Sequence, residues 1–307
     1  MPIGYLWTTL VVAWCTAFAV AARPARRPTP GNLSYWSAFL LNELPFLAFY
    51  WLLASTLLAA SEGDLSSPVG WIALALAVAT TFALAVVVRR AMQTRNAVER
   101  ALAEAGLPQR RSRLPLARVL VAPFSRRRRD VERIANVAYG DAGKWNLLDV
   151  YRHRSHPQAC PTFVHLHGGA FRSGRKNREA RLLLYRLAGA GWLCISANYR
   201  LGGGARFPDH LVDVKKVIAW VREYGPEYGA DPSVVVVAGS SAGGNLASTA
   251  ALTPNAPRFQ PGFEQADTSV TAAVCLYGYL GDYHHGDDPD GSSPFRFVNP
   301  DAPPFFV

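Results

Sequence analysis

Long stretches without a charged residue dominate the first 88 positions of the chain. Residues 5–22 and 69–88 carry no charge, and residues 38–60 carry only Glu43, near the start of that stretch. Helices of roughly 18–20 residues, rising about 1.5 Å per residue, cover a hydrocarbon core of about 30 Å. Because no stretch has a polar face, the pattern predicts three membrane-spanning helices rather than buried helices of a soluble core.

The loops between these stretches differ in charge. Arginines follow the first and third stretches, whereas residues 61–68 contain Glu62 and Asp64 and no basic residue. The positive-inside rule then predicts an N-terminus outside the cell and a cytoplasmic location for everything after Arg89. A cleaved signal peptide ending near "FAVAA" is the alternative for the first stretch, but no basic residue precedes its apolar region.

From residue 131 the pattern changes to short β-type runs that alternate with helix-type runs. The β-type runs are "RIANVAYG", "WNLLDVYR", "TFVHLHGG", "WLCISANYR", "SVVVVAGS" and "SVTAAVCLYG". Helices are expected near 178–190, near 209–224 and from 242. This alternation predicts an α/β fold with a mainly parallel sheet covered by helices. The apolar strand 234–238 is expected at its centre, since strands covered on both faces read as continuous apolar runs.

Charge divides the chain further. The net charge is +10, and residues 89–130 hold twelve arginines against three acidic residues. We therefore predict a transmembrane region (1–88), a basic cytoplasmic connector (89–130) with a helix over 89–106, and a partial α/β domain (131–307).

The basic connector has two open interpretations. Apolar residues flanked by arginines, in "RSRLPLARVLVAPFSRRRRD", are typical of a segment in the membrane interface. Arg126, Arg127, Arg128 and Arg129 would then lie near anionic headgroups. A solvated linker that obeys the positive-inside rule explains the same residues. Nucleic-acid binding is not expected, because no aromatic interleaving or recognition module accompanies the arginines.

The four cysteines, Cys15, Cys160, Cys194 and Cys275, are too scattered for a small disulfide framework or a metal site. We expect isolated reduced thiols, no metal and no cofactor.

The stretch "VVVVAGSSAGGNLAS" contains a candidate nucleophile. Gly239 to Gly243 match G-x-S-x-G, after a strand and before a helix-compatible run, which is the setting of a nucleophile elbow. Gly239 and Gly243 would let neighbouring backbone pass close to Ser241. The helix N-terminus would place positive partial charge near a developing oxyanion.

A second motif points to the same chemistry. In "HLHGGAFRSG", Gly168 and Gly169 follow a strand and permit a bare backbone loop. Its N–H groups, together with that of Ala242, are the donors that a tetrahedral intermediate requires. We expect His167, at the strand end, to brace the loop rather than to act as the base.

These motifs, with "ANYRL", "FPDHLVDV", "DPSVVVVAGSSAGGNLA" and "DAPPFFV", resemble the α/β-hydrolase superfamily, and more narrowly the carboxylesterases of the hormone-sensitive-lipase type. The N-terminal spans and "DVERIANVAYGD" resemble membrane-linked actinobacterial lipase/esterase relatives. The resemblance implies Ser241 as nucleophile and Gly168, Gly169 and Ala170 as the oxyanion loop. Ala170 stands where the family's HGGG motif has its third glycine, which puts the geometry of that donor in question.

The resemblance also implies an acid and then a histidine after the serine. The strand beginning at "PPFFV" is where the acid is expected to follow, so the sequence reads as truncated after Val307, with both partners beyond it. The loop 281–291 offers Asp282, His284, His285, Asp287 and Asp288 as substitutes, but their order and spacing disagree with the family's arrangement.

Three functions remain open. The first is a membrane-anchored serine esterase or lipase that works through an acyl-enzyme. The second is an amidase or deacetylase of the same fold, similar to arylformamidases. The third is a non-catalytic scaffold, or an inactive fragment, displayed on a membrane.

Overall fold

The structure is a computed structural model that describes residues 2–21, 28–106, 120–121, 128–283 and 291–307. The chain separates into two compact units, residues 1–123 and 124–307.

The first unit is helical. Its helices are α1 (Pro2–Val20), α2 (Pro28–Glu43), α3 (Pro45–Ser61) and α4 (Pro68–Glu104). Ile3–Val20 and Pro68–Glu104 are each long and apolar enough to cross a membrane. Their large side chains face outward, and Trp14 and Phe82, for example, are 57% and 70% exposed. Such exposed apolar surface suits a lipid surrounding rather than water.

The stretch 38–60, predicted as one span, is divided in the structure. The segments Ser34–Glu43 and Pro45–Ser61 meet at an angle of 89°. Pro45 has no N–H to donate and disfavours helical backbone in the residue before it. Leu44 accordingly leaves the helical region, with φ −134° and ψ 55°, and Pro45 begins α3.

The helix predicted over 89–106 is not separate. It continues the third predicted span without a break as the 37-residue helix α4. Ser67 caps this helix, because its Oγ accepts the Gly70 N–H at 3.1 Å.

The second unit is built on one seven-stranded sheet. The strands are β1 (Val131–Ala138), β2 (Leu147–His153), β3 (Cys160–Leu166), β4 (Leu193–Ala197), β5 (Ala230–Ser240), β6 (Ala272–Leu276) and β7 (Phe305–Phe306). Their spatial order is β1-β2-β4-β3-β5-β6-β7. The pairs β1–β2 and β2–β4 are antiparallel, and every pair from β4 to β7 is parallel. The predicted α/β fold is confirmed.

Three helices connect the parallel strands: α5 (Arg181–Ala188), α6 (Asp209–Tyr224) and α7 (Ala242–Leu252). Strand β5 lies between β3 and β6, in the interior of the sheet as predicted, and Val235 and Val237 are fully buried there. Parallel strands present their carboxyl ends at one edge, so the residues that follow β3 and β5 meet at that edge.

All four cysteines are free thiols.

The basic run before β1 is described only from residue 128. Arg126 and Arg127 lie outside the described residues. Arg128 forms a bidentate ion pair with Asp130, with N···O distances of 2.9 and 2.5 Å. Both interpretations of the basic connector stay predictions.

The core of this unit contains a lysine. Lys215, in α6, is fully buried, and its ammonium donates to Thr253 O, at the end of α7, and to Thr268 Oγ1 at 3.1 Å. Burial lowers the pKa of Lys215 from its ordinary 10.5 to about 7. At a pH between these two pKa values, Lys215 carries a proton in the unfolded chain and not in the folded chain.

The free energy of unfolding is therefore expected to rise as the pH is raised from about 7 towards 10.5, by up to about 1.4 kcal/mol per pH unit. Denaturant unfolding of the detergent-solubilised protein at pH 7.5 and 9.5 measures this slope. In Lys215→Met, which keeps the length of the side chain without its charge, the rise should be reduced. Equal slopes in the two proteins would contradict the assignment.

Candidate active site

Ser241 lies on a sharp turn between β5 and α7. Its backbone has φ 51° and ψ −113°, a combination that non-glycine residues rarely adopt. The turn is held from both sides, because Ser241 N–H donates to Leu276 O at 3.0 Å and Ser241 O accepts the Asn245 N–H at 3.1 Å. The geometry is that of a nucleophile elbow, with the serine at the carboxyl end of an interior strand.

The glycines around Ser241 make this turn possible. A Cβ on Gly239 would lie 2.1 Å from the carbonyl carbon and oxygen of Gly243. A Cβ on Gly243 would lie 2.2 Å from Leu166 O, at the end of β3. Both distances are far below van der Waals contact, so only glycine fits either position.

The second motif folds against the first. After β3 the backbone takes left-handed conformations at Gly169 (φ 128°), Ala170 (φ 51°) and Phe171 (φ 58°). A Cβ on Gly168 would lie 3.4 Å from the Cβ of Ser241. The structure therefore brings the two sequence motifs, more than seventy residues apart, into contact.

The N–H group of Gly168, the first glycine of the loop, is not available to a substrate. The Gly168 N–H donates to Glu179 Oε2 at 2.9 Å. This hydrogen bond corrects the expectation that Gly168 supplies an oxyanion donor. The role of Gly168 is close packing beside Ser241.

Ala170, Ser241 and Ala242 line one cavity of about 840 Å³. Ala242 is the first residue of α7, where backbone N–H groups have no acceptor within the helix. The N–H groups of Gly169, Ala170 and Ala242 donate to no acceptor among the described residues. Two of these unused donors therefore belong to residues that line the cavity together with Ser241.

His167 braces the loop. Its Nδ1 lies 2.8 Å from Gly168 O, and its ring stacks on Tyr199 with centroids 4.5 Å apart. The Tyr199 hydroxyl donates to His167 O at 2.7 Å. Burial lowers the pKa of His167, which is 1% exposed, so that the neutral ring is favoured. These contacts agree with the bracing role predicted for it.

Another buried histidine lies under the elbow. His165 Nε2 is 3.5 Å from Ser240 Oγ, and burial, with His167 nearby, lowers the pKa of His165 to about 4. Ser240, the variable residue of the motif, thus points into the fold. His210 packs its ring against Phe171 and Tyr283 at one wall of the cavity.

No hydrogen bond joins Ser241 Oγ to any residue in the described part of the chain. Of the proposed substitutes, Asp282 is engaged by the N–H groups of Ser292 and Ser293 at 2.7 and 2.8 Å. The others, His284, His285, Asp287 and Asp288, lie outside the described residues.

Sequence reasoning missed Glu179 and Tyr199. Glu179 is the sole acid in the basic run "GRKNREARLL", and Tyr199 follows β4 in "ANYRL". Both act on backbone atoms of the 167–168 segment, through the contacts given above. No local pattern marks a side chain whose partner lies on another strand, so only the three-dimensional arrangement reveals them.

Ala170→Gly is expected to raise the free energy of unfolding by about 1 kcal/mol, because glycine adopts φ 51° without the steric cost that alanine bears. The backbone N–H remains in place. Chemical denaturation in detergent measures the change. Ala256→Gly is the control: Ala256 has φ −77°, so glycine there should lower stability. A loss of stability in both variants would contradict the strain argument.

Comparison with known proteins agrees with this geometry. A family model described as BD-FAE matches residues 148–285. The probable carboxylic ester hydrolase LipM of Mycobacterium tuberculosis is 40% identical over 205 residues, covering 58% of this chain and 48% of LipM. Esterase LipQ of the same organism is 37% identical over 205 residues, covering 59% and 49%. The chain spans about half the length of these curated relatives.

Solved structures show the same fold. Esterase B of Lactobacillus rhamnosis, inhibited by a tributyrin phosphonate, superposes with a TM-score of 0.53 at 23% identity, covering 70% of this chain and 73% of that one. A bifunctional GH43-CE protein of Bacteroides eggerthii superposes with a TM-score of 0.52 at 22% identity, covering 56% and 30%. With its elbow serine and its mixed sheet, the chain has the α/β fold of these esterases, and its sequence is similar to those of the mycobacterial carboxylic ester hydrolase and esterase named above.

Proposed function

We propose that the protein is a membrane-anchored serine carboxylic-ester hydrolase with Ser241 as its nucleophile. The observation that carries the proposal is the shared cavity, in which Ser241 lies beside the donors of Ala170 and Ala242. The positive end of α7 adds to the field at that point. The named relatives, an ester hydrolase and an esterase, support this class of reaction.

The chemistry would proceed through an acyl-enzyme. Ser241 Oγ attacks the ester carbonyl while its proton passes to a base, and the carbonyl oxygen becomes an oxyanion. The N–H groups of Gly169, Ala170 and Ala242 would stabilise this charge. The alcohol leaves with the proton, and water then attacks the acyl group and releases the acid and free Ser241.

We place the base outside the described residues. Chain order in this fold is nucleophile, acid, histidine, and the described residues after Ser241 contain no histidine. The described segment 128–241 supplies no side chain bonded to Ser241 Oγ either.

Hydrolysis of two matched substrates tests the proposal. The 4-nitrophenyl ester and the 4-nitroanilide of butyric acid differ only in the atom that leaves, and an esterase should give a much higher kcat/KM on the ester. The assay uses the protein in detergent, with Ser241→Ala as the comparison. Faster cleavage of the amide would favour the amidase alternative, and turnover of neither substrate would contradict both enzymatic functions.

For the membrane we propose that α1, α4 and the bent pair α2–α3 anchor the chain, with the N-terminus outside and the hydrolase unit in the cytoplasm. The acidic residues between α3 and α4 and the arginines at and beyond Arg89 support this orientation. An N-terminal epitope tag should bind antibody on intact cells. Antibody binding only after permeabilisation would contradict the orientation.

A further inference from the structure

A second cavity, of about 560 Å³, adjoins the one that holds Ser241, and Arg172 lines both. Among the described residues, five basic ones and no acidic one line this second cavity, which we call the basic pocket. They are Lys144, Arg172, Arg175, Lys176 and Arg178. A cleft lined by charges of one sign raises the local concentration of counter-ions. The ligand class favoured by the pocket is therefore anionic.

Most of the positive charge in the basic pocket is available to a ligand. Only Lys176 is neutralised, because its buried ammonium lies 2.5 Å from Asp149 Oδ1. Arg172, Arg175 and Arg178 are exposed and form no ion pair with any acidic residue in the described ranges. Lys144 lies over the ring of Trp145, 4.8 Å from its centroid, and forms no ion pair with a carboxylate in the described part of the chain.

The backbone of the pocket is held in place before any ligand arrives. Lys176 N–H donates to Asn198 Oδ1 at 2.8 Å, and Lys176 O accepts from Ser196 Oγ at 2.6 Å. Arg178 N–H donates to Arg175 O at 3.1 Å, closing a turn. The two arginines thus flank a residue that is fixed both to strand β4 and to Asn198, just beyond that strand. Pre-organisation of this kind reduces the ordering cost of binding.

We infer that the basic pocket binds a phosphate group carried by the ester that Ser241 cleaves. Guanidinium groups present paired donors that match phosphate oxygens, and three of them surround one space here. Because Arg172 lines both cavities, a molecule with its ester at Ser241 can extend its charged end into the pocket. This inference rests on the proposed function and names a substrate class for it: soluble phosphate-bearing esters.

Two esters with the same acyl group test the inference: butyrylglycerol and butyrylglycerol 3-phosphate. The full-length protein should show a kcat/KM at least about tenfold higher on the phosphate ester, as loss of a charge-assisted hydrogen bond changes binding by roughly 10- to 100-fold. Added salt should reduce this ratio. In Arg175→Gln/Arg178→Gln the ratio should fall at least about tenfold. A wild-type ratio near one, or an unchanged ratio in the double variant, would overturn the inference.

Arg186→Gln is the matched control, since Arg186 is exposed on α5 and lines neither cavity. Its ratio should equal that of the wild type. Calorimetric binding of glycerol 3-phosphate needs no turnover: binding to the wild type and loss in the double variant support the pocket even if the proposed hydrolysis fails. A preference seen only for a micellar palmitoyl ester, and not for the soluble pair, would assign the effect to a lipid surface and overturn the inference.

Discussion

Replacing Ser241 with alanine is expected to reduce kcat for ester hydrolysis by the full-length protein about 10⁴- to 10⁶-fold, since removal of a nucleophilic serine costs this order in other hydrolases. Without Oγ no acyl-enzyme forms, and only the oxyanion donors remain. The fold should persist, because alanine keeps the Cβ and the hydroxyl makes no hydrogen bond to a described residue. Steady-state hydrolysis of the 4-nitrophenyl ester measures the loss.

Ser240→Ala is the control for this experiment. Ser240 neighbours Ser241 in the motif, but its hydroxyl faces His165 in the interior. The variant should keep most of its activity. Hydrolysis at the wild-type rate by Ser241→Ala, or a complete loss in Ser240→Ala with the fold intact, would show that the nucleophile has been assigned to the wrong residue.

Replacing Gly239 with alanine is expected to lower the free energy of unfolding by at least about 3 kcal/mol, or to prevent folding of the hydrolase unit. The new Cβ would meet the backbone of Gly243 at 2.1 Å, and backbone cannot rotate away as a side chain can. Since the clash separates β5 from α7, the elbow itself would open. Thermal unfolding and the yield of folded protein in detergent measure the effect.

Gly204→Ala is the matched comparison. Gly204 is an exposed loop glycine, and a Cβ there would meet nothing within 4 Å. Its stability should stay within about 0.5 kcal/mol of the wild type. If both glycine variants unfold at the wild-type temperature, the close approach of β5 and α7 does not limit the residue at position 239 to glycine, and the prediction is wrong.

The parts of the fold that could be predicted are those that a local sequence pattern encodes. A helix was predicted near 209–224 and lies at Asp209–Tyr224, and β5 was expected inside the sheet because its apolar run has no polar face. The elbow was recognisable because G-x-S-x-G between a strand and a helix demands glycines that permit close backbone approach. Here the chemistry of single residues and their spacing was sufficient.

The failures came from side-chain contacts that the local sequence pattern does not encode. Gly168 was expected to donate to a substrate, but Glu179, eleven residues away, takes that hydrogen bond. Tyr199, which donates to His167 O, was not predicted at all. The spacing of polar residues along the chain does not say which backbone atoms they will contact, so these contacts are visible only in the folded structure.

The break at Leu44 has a different cause. The mean hydropathy of residues 38–60 does not register that Pro45 lacks a backbone N–H, although the proline is present in the sequence. Hydrophobic pattern predicted where apolar surface lies, and proline decided how the helix through it is divided.

The most direct test of Ser241 as nucleophile is covalent labelling of the full-length protein with a fluorophosphonate, followed by peptide mass spectrometry. The proposed mechanism predicts one adduct, on the peptide containing Ser241 and assigned to that residue by fragmentation, and none in Ser241→Ala. An adduct on Ser240 or on a serine elsewhere, or no adduct on a folded protein that hydrolyses esters, would contradict it.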